Sequence, residues 1–161
     1  MMSSDEDEID AALNMGFTFR RRPVSAAAAT RPQFRIPLLL LTLQKGRASK
    51  LHWKGLQVIN WAIQSDARMD TLVAVTEERQ VPHLPVVRIE PMLDRTIDLA
   101  VGLGYAKFEG GRTVSLTALG KERALEVAAA PVLQEEKQRL SRLAGKVSQA
   151  KIDLLLEWRN E

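Results

Sequence analysis

Cysteine is absent from this chain, and histidine occurs only twice, at His52 and His83. Without a thiol, the chain has no disulfide, no cysteine nucleophile and no thiolate ligand for zinc. The two histidines do not stand in an H-x-x-x-H or H-E-x-x-H spacing, so they do not form a pair of metal ligands on one helix face. The sequence therefore indicates neither a metal site nor cysteine-based catalysis.

Long hydrophobic runs are also missing. The longest, "IPLLLLTL" from Ile36 to Leu43, is far shorter than the roughly 20 residues that cross a bilayer. No positively charged start leads into an apolar signal run with a small-residue cleavage site. These absences predict a cytoplasmic protein that does not enter a membrane.

Phosphate-binding loops are missing too. The glycines of "GLG" (102–104) and "GG" (110–111) lack the closing Lys-Ser/Thr of a P-loop and the three spaced glycines of a dinucleotide loop. The acidic cluster from Asp5 to Asp10 lies in a terminal segment, where no pocket holds carboxylates at a fixed separation. We therefore expect no enzymatic activity, no cofactor and no metal.

The charge is unevenly distributed along the chain. The formal net charge is +3, but the first ten residues hold five acids, so residues 11–161 carry +8. A moderately basic body suits either nucleic acid or an acidic protein surface. Charge alone does not choose between them.

The first 33 residues separate into two parts. A serine cap, first-turn acids, Ile9 and Leu13 one turn apart and a closing Gly16 predict a short amphipathic helix. Residues 17–33 have no periodicity that builds a core, so they are interpreted as an arm or linker, either a mobile tail or a partner-docking segment. The arm carries a basic run that suits an acidic partner, a nucleic-acid backbone or simple solvation: Arg20, Arg21 and Arg22.

Two central helices follow. The first is predicted from Pro37 to Gly46, since proline is tolerated in a first turn. It is apolar nearly all round, so we expect it at the centre of the fold. The second is predicted after a Ser49 cap, with Gly55 inside it, which costs about 1 kcal/mol unless another helix packs closely there. Its apolar stripe comprises His52, Leu56, Ile59 and Ile63, with Trp53 and Ala62 beside it.

A third helix and an extended connection come next. The helix is predicted from a cap at Ser65 or Asp66, and Pro82 and Pro85 then favour extended chain. "VVRIE" (86–90) is a candidate strand. The apolar positions of the helix are Met69, Leu72, Val73 and Thr76.

The clearest pattern is a helix followed by a hairpin. "PMLDRTIDLAVGL" predicts a helix from Pro91 to near Gly104 that buries Leu93, Ile97 and Ala100, with Val101 beside them. "YAKFE" and "RTVSLT" alternate as strands joined by Gly110 and Gly111, which suit a two-residue turn. Thr117 then caps a further helix. This order predicts a mainly α fold with a small β-hairpin, in particular a winged helix-turn-helix with extra N- and C-terminal helices.

Three regions follow from this reading: an acidic helix and arm (1–33), a winged-helix domain (34–130) and a C-terminal helical extension (131–161). The extension contains two predicted helices, of which one buries Leu133, Leu140 and Leu143, and the other begins at a Ser148 cap. Their apolar faces either close over the domain or bind a partner. The predicted partner contacts are Ile9, Leu13, Ile152, Leu155, Leu156 and Trp158.

The predicted reading helix of the winged-helix domain argues against sequence-specific DNA recognition. Such a helix usually carries Arg, Lys, Asn or Gln into the major groove, whereas this one has Asp94, Arg95 and Asp98, with Glu90 just before it. Carboxylates on this helix would face the negatively charged phosphates of the DNA, which is unfavourable. The remaining basic residues allow only weak, salt-sensitive nucleic-acid contacts or are ordinary solvated charges: Arg88, Lys107 and Arg112, with Arg20, Arg21 and Arg22.

Two stretches together carry a family resemblance: "LLLLTLQKGRASKLHWKGLQVINWAIQS" and "VVRIEPMLDRTIDLAVGLGYAKFEGGRTVSLTALGKE". They resemble the middle component of bacterial ABC-three-component systems and the small third subunit of Lamassu-type antiphage systems. The likeness covers about residues 35–125. Its motifs are Gly46 to Ser49, Lys50 to His52, Asn60 to Ala62, Arg88 with Pro91, Leu93 and Ile97, and Leu116 with Thr117 and Gly120.

The resemblance implies a non-catalytic subunit that binds an SMC/Rad50-like ABC ATPase and helps hold an effector, often a nuclease, until foreign DNA is sensed. Contact with DNA inside the assembly would be non-specific. The alternative hypothesis is a sequence-specific winged-helix transcriptional regulator that forms a homodimer through its terminal helices.

Overall fold

The structure, a computed structural model, describes residues 31–79, 87–143 and 148–157. In these residues the chain is mainly helical, with seven α-helices and one small antiparallel sheet. The helices are α1 (Pro32–Lys45), α2 (Trp53–Ala62), α3 (Asp66–Thr76), α4 (Pro91–Gly102), α5 (Ala118–Ala129), α6 (Gln134–Ser141) and α7 (Gln149–Glu157). The strands are β1 (Lys50–His52), β2 (Ala106–Glu109) and β3 (Thr113–Leu116).

Helix α1 begins earlier than the sequence predicts, at Pro32 instead of Pro37. Pro32 takes the first-turn position, where a backbone N–H has no helical partner. Pro37 therefore lies inside the helix and removes one intrahelical hydrogen bond. The expected central position of this helix is confirmed, because Leu39, Leu40 and Leu43 are all buried.

Residues 50–52 form a strand, so the prediction of a helix after a Ser49 cap is wrong there. Strand β1 pairs antiparallel with β3 of the hairpin, and Leu51 lies opposite Val114. Helix α2 starts three residues later than expected, at Trp53, and His52 is its N-cap: its Nδ1 accepts from the Lys54 N–H at 3.2 Å. His52 is accordingly half-buried, not part of the apolar stripe.

The hairpin confirms its two predicted strands but not its two-residue turn. Glu109 pairs with Thr113, so three residues form the turn, and positive φ occurs at Gly111 and Arg112. The sheet order is β1-β3-β2. The candidate strand at 86–90 is wrong for residues 87–90, which form no strand, and Val86 lies outside the described residues.

Several caps and core positions are confirmed. The Ser65 hydroxyl accepts from the Arg68 N–H at 3.3 Å, and the Thr117 hydroxyl accepts from the Gly120 N–H at 3.0 Å. Ser148 lies at the start of α7 and accepts from the Lys151 N–H at 3.4 Å. Thr76 and Val101, which were also predicted to face inward, are half-buried, and the other predicted inner residues of α3 and α4 are buried: Met69, Leu72, Val73, Leu93, Ile97 and Ala100.

The buried side chains form two neighbouring clusters. The first comes mainly from α2, α3, α6 and α7, and the second from α1, α4, α5 and the sheet. Helices α1 and α2 contribute to both. No helix of the described ranges has the length and apolar composition needed to cross a bilayer.

Candidate interaction surface

Glu90 fixes the start of helix α4. Its carboxylate pairs with Arg35 of α1 and accepts from the Asn60 side chain at 2.6 Å. Its backbone N–H donates to Gln57 Oε1 at 2.9 Å, and Gln57 is 1% exposed. Glu90 was expected to face the phosphate field beside Asp94, but these contacts turn it towards α1 and α2.

The outward face of α4 is acidic and apolar. Asp94, Arg95 and Asp98 are exposed on it, so two carboxylates accompany one guanidinium. Three large apolar residues are also exposed, and they form what we term the α4 stripe: Met92 (37%), Leu99 (43%) and Leu103 (48%). Their spacings of seven and four residues place them on one side of the helix.

A groove of about 400 Å³ lies between α4 and the hairpin. The Trp53 indole donates to Asp94 Oδ1 at 2.5 Å, and the Arg112 guanidinium lies 5.2 Å from the centre of the Trp53 ring. The Trp53 backbone N–H also donates to the Arg112 carbonyl oxygen at 2.9 Å. We term this the α4–hairpin groove, and its lining residues are Trp53, Asp94, Ile97, Asp98, Phe108 and Arg112.

The α4–hairpin groove combines unpaired charge with exposed apolar surface. Asp98 forms no hydrogen bond or ion pair within the part of the chain that the structure describes, and Asp94 has only the indole contact there. Phe108 is 53% exposed, whereas Ile97, which also lines the groove, is 1% exposed. The groove therefore offers two carboxylates above an apolar wall.

No family model, curated protein or solved structure matches this chain. The α4 stripe and the α4–hairpin groove are therefore interpreted from their own contacts, burial and charge.

Those predicted nucleic-acid contacts that the structure describes do not form one patch. Arg112 lines the α4–hairpin groove with Phe108, but Lys107 precedes Phe108 in β2 and so points to the opposite face of the sheet. Arg88 is exposed just before α4. The other three predicted contacts, Arg20, Arg21 and Arg22, lie outside the described residues.

The sheet face that carries Lys107 holds a second lysine, Lys50, which was not among the predicted nucleic-acid contacts. Lys50 and Lys107 both pair with Ser115 of the central strand, from its two sides. Lys50 also forms an ion pair with Glu109 at 3.3 Å. The hydrogen bond and the positive charge of Lys50 hold the pKa of Glu109 below its usual range.

The predicted partner residues of the last helix lie in the core. Ile152 is 1% and Leu155 is 3% exposed, and Leu156 is half-buried against the same cluster. A Cβ at Gly55 of α2 would lie 2.9 Å from Ile152 Cδ1, which confirms the close helix packing expected at this glycine. Of the two alternatives for the C-terminal helices, the structure therefore shows closure over the domain. Ile9, Leu13 and Trp158 lie outside the described residues.

Helix α6 is held by charged contacts as well as by its apolar side. The Arg139 guanidinium donates to Asp66 at 2.9 Å and to the Ile63 carbonyl oxygen at 3.1 Å. The Asp66 hydrogen bond raises the pKa of Arg139. Leu140 and Leu143 are buried as predicted, whereas Leu133, predicted on the same side, is half-buried against the same cluster.

Proposed function

We propose that this protein is a non-catalytic winged-helix subunit of an antiphage defence complex, which docks on an SMC/Rad50-like ABC ATPase and helps hold an effector such as a nuclease. The order of elements supports the winged-helix assignment. Helix α4 is followed by the β2–β3 hairpin, and β1 pairs with the second strand of that hairpin. The identity of the ATPase partner is inferred from the sequence resemblance to ABC-three-component and Lamassu subunits.

The observation that carries this proposal is the outward face of α4. A DNA-reading helix at this place presents cationic or amide side chains to bases and phosphates. This helix presents Asp94 and Asp98 with a single cation, Arg95, together with the α4 stripe. Carboxylates repel phosphates, whereas exposed apolar side chains bind a protein surface favourably once they are desolvated.

The same face counts against the alternative function, a dimeric sequence-specific transcriptional regulator. That function requires base contacts from α4. The exposed cations Arg88, Lys50 and Lys107 suit at most a non-specific, salt-sensitive contact with DNA inside the assembly.

The test is co-purification of the tagged protein with an SMC/Rad50-like ABC ATPase from the same host. The double variant Leu99→Asp, Leu103→Asp places charges on the α4 stripe. We expect it to recover at least about tenfold less ATPase than the wild type, since buried apolar anchors dominate interface energy.

A matched control is Leu125→Asp on α5, which changes an equally apolar residue that is 64% exposed. It should leave recovery unchanged, and circular dichroism checks that all variants fold. Failure of the wild type to recover any such ATPase, or full recovery by the double variant, would contradict the proposal.

A further inference from the structure

The α4–hairpin groove favours a cationic ligand that also has apolar side chains. Asp98 has no ion-pair partner in the described ranges, and the nearby Arg112 guanidinium is stacked on Trp53 without an ion pair to either aspartate. Phe108 exposes an aromatic ring on the wall of the same groove. An arginine satisfies both features, because its planar guanidinium pairs with carboxylates and stacks on aromatic rings.

The chain itself contains a segment of this chemistry. "FTFRRRP", residues 17–23, places three consecutive arginines directly after Phe19. We propose that this basic arm docks in the α4–hairpin groove of its own chain, with arginine side chains facing Asp94 and Asp98.

The length of the connection permits this docking. The described chain starts at Arg31, nine positions after Arg22, and this connection spans up to about 30 Å when extended. Arg35 in the first turns of α1 contacts Glu90 at the start of α4. From Glu90, Asp94 lies about 6 Å and Asp98 about 12 Å along the helix. Even when the chain has to pass around a helix about 10 Å wide, the arm can reach Asp94 and Asp98.

Charge complementarity selects the arm over the other N-terminal segment. Residues 1–10 carry five acids, which Asp94 and Asp98 repel. The groove already holds one guanidinium against an aromatic ring, that of Arg112 on Trp53. A second arginine over Phe108 repeats this contact. The inference is independent of the ATPase and goes beyond the proposed function, since it assigns an intramolecular ligand to the groove.

Paramagnetic NMR tests the docking directly. Because the chain has no cysteine, Ser25→Cys introduces a unique site for a nitroxide label next to the arm. In the full-length ¹⁵N-labelled chain we expect broadening of the Trp53 indole signal and of the amides of Asp94, Asp98 and Phe108. Broadening should fall to background in about 1 M salt, where the Debye length is roughly 3 Å.

Two sets of variants distinguish docking from mere proximity. Neutralising the arm with Arg20→Gln, Arg21→Gln, Arg22→Gln, or the groove with Asp94→Asn, Asp98→Asn, should abolish the broadening. Both neutralised together should have no further effect, since the groups act as one pair. The matched control removes three exposed cations elsewhere, Lys45→Gln, Arg47→Gln, Lys121→Gln, and should preserve the broadening.

Three results would overturn the inference. One is absence of broadening at the groove, and another is broadening that survives neutralisation of the arm. The third is broadening that appears only between a spin-labelled chain and a separate ¹⁵N-labelled chain, because a second copy is then the source of the arm. Co-purification of the ATPase with the arm variant would leave the proposed function intact whichever result is obtained.

Discussion

Lys50 controls the ionisation of Glu109 across the sheet. The two residues lie on the outer strands, and the ion pair spans the central strand β3. Because the folded pKa of Glu109 is lowered, the pair stabilises the fold above the usual carboxyl pKa. That stabilisation is lost as the pH falls through the lowered pKa. The contribution is small, since both side chains are solvent-exposed.

Removing the lysine charge should reverse this shift. In Lys50→Gln we expect the pKa of Glu109 to rise towards the ordinary glutamate value, because the main hydrogen bond and the nearest positive charge are lost. NMR titration of the Glu109 carboxyl carbon measures it. Lys121→Gln, an exposed lysine on α5, is the control and should leave the pKa unchanged. An unchanged pKa in Lys50→Gln would show that another group causes the shift.

At the scale of elements, the start of helix α5 packs against the segment that directly follows α4. The Thr117 backbone N–H donates to the Tyr105 carbonyl oxygen at 3.0 Å, and its hydroxyl donates to the Gly104 carbonyl oxygen at 2.5 Å. Gly120 packs onto the same segment, so closely that an added Cβ would lie 1.8 Å from the Tyr105 oxygen. The glycine therefore permits the approach of α5 to the end of α4.

Two glycine substitutions should have opposite effects on stability. Gly120→Ala forces a backbone contact that no side-chain rotation relieves, so we expect a loss of about 1–3 kcal/mol in the free energy of unfolding. Gly102→Ala in the last turn of α4 meets nothing within 4 Å, so alanine should stabilise by about 0.5–1 kcal/mol through its helix propensity. Urea unfolding measures both, and a stabilised Gly120→Ala would disprove the close approach.

At the scale of the whole molecule, α1 and α2 join the two buried clusters. Leu41 of α1 belongs to the first cluster, while its neighbours Leu40 and Leu43 belong to the second. Trp61 of α2 lies in the first cluster, and Trp53 of the same helix packs against the second. Neither cluster can lose its packing without disturbing helices that the other requires.

The two clusters should therefore unfold together. We expect the indole NMR signals of Trp53 and Trp61 to disappear at the same urea concentration, because small domains with a shared core unfold cooperatively. Single Trp→Phe variants assign these signals against Trp158, and circular dichroism supplies an independent probe. Separate midpoints for the two indoles would show that α3, α6 and α7 form an independent unit.

The sequence by itself determined the elements that depend on local chemistry. Helical spacing of Leu93, Ile97 and Ala100 defined the inner face of α4, and the hydroxyls of Ser65 and Thr117 marked helix starts. Alternation on each side of Gly110 and Gly111 defined the hairpin. These signals lie within one or two turns of the residues they organise, so they can be read without the rest of the chain.

Only the tertiary structure decided the features that join distant segments. Lys50 to His52 became a strand because its partner is β3, far along the chain. The apolar side of α7 has the same pattern whether a partner or the chain's own α2 covers it, and the fold placed Ile152 against Gly55. The α4–hairpin groove likewise combines side chains from α2, α4 and the hairpin. Periodicity records which side of an element is apolar, but it does not record what packs against that side.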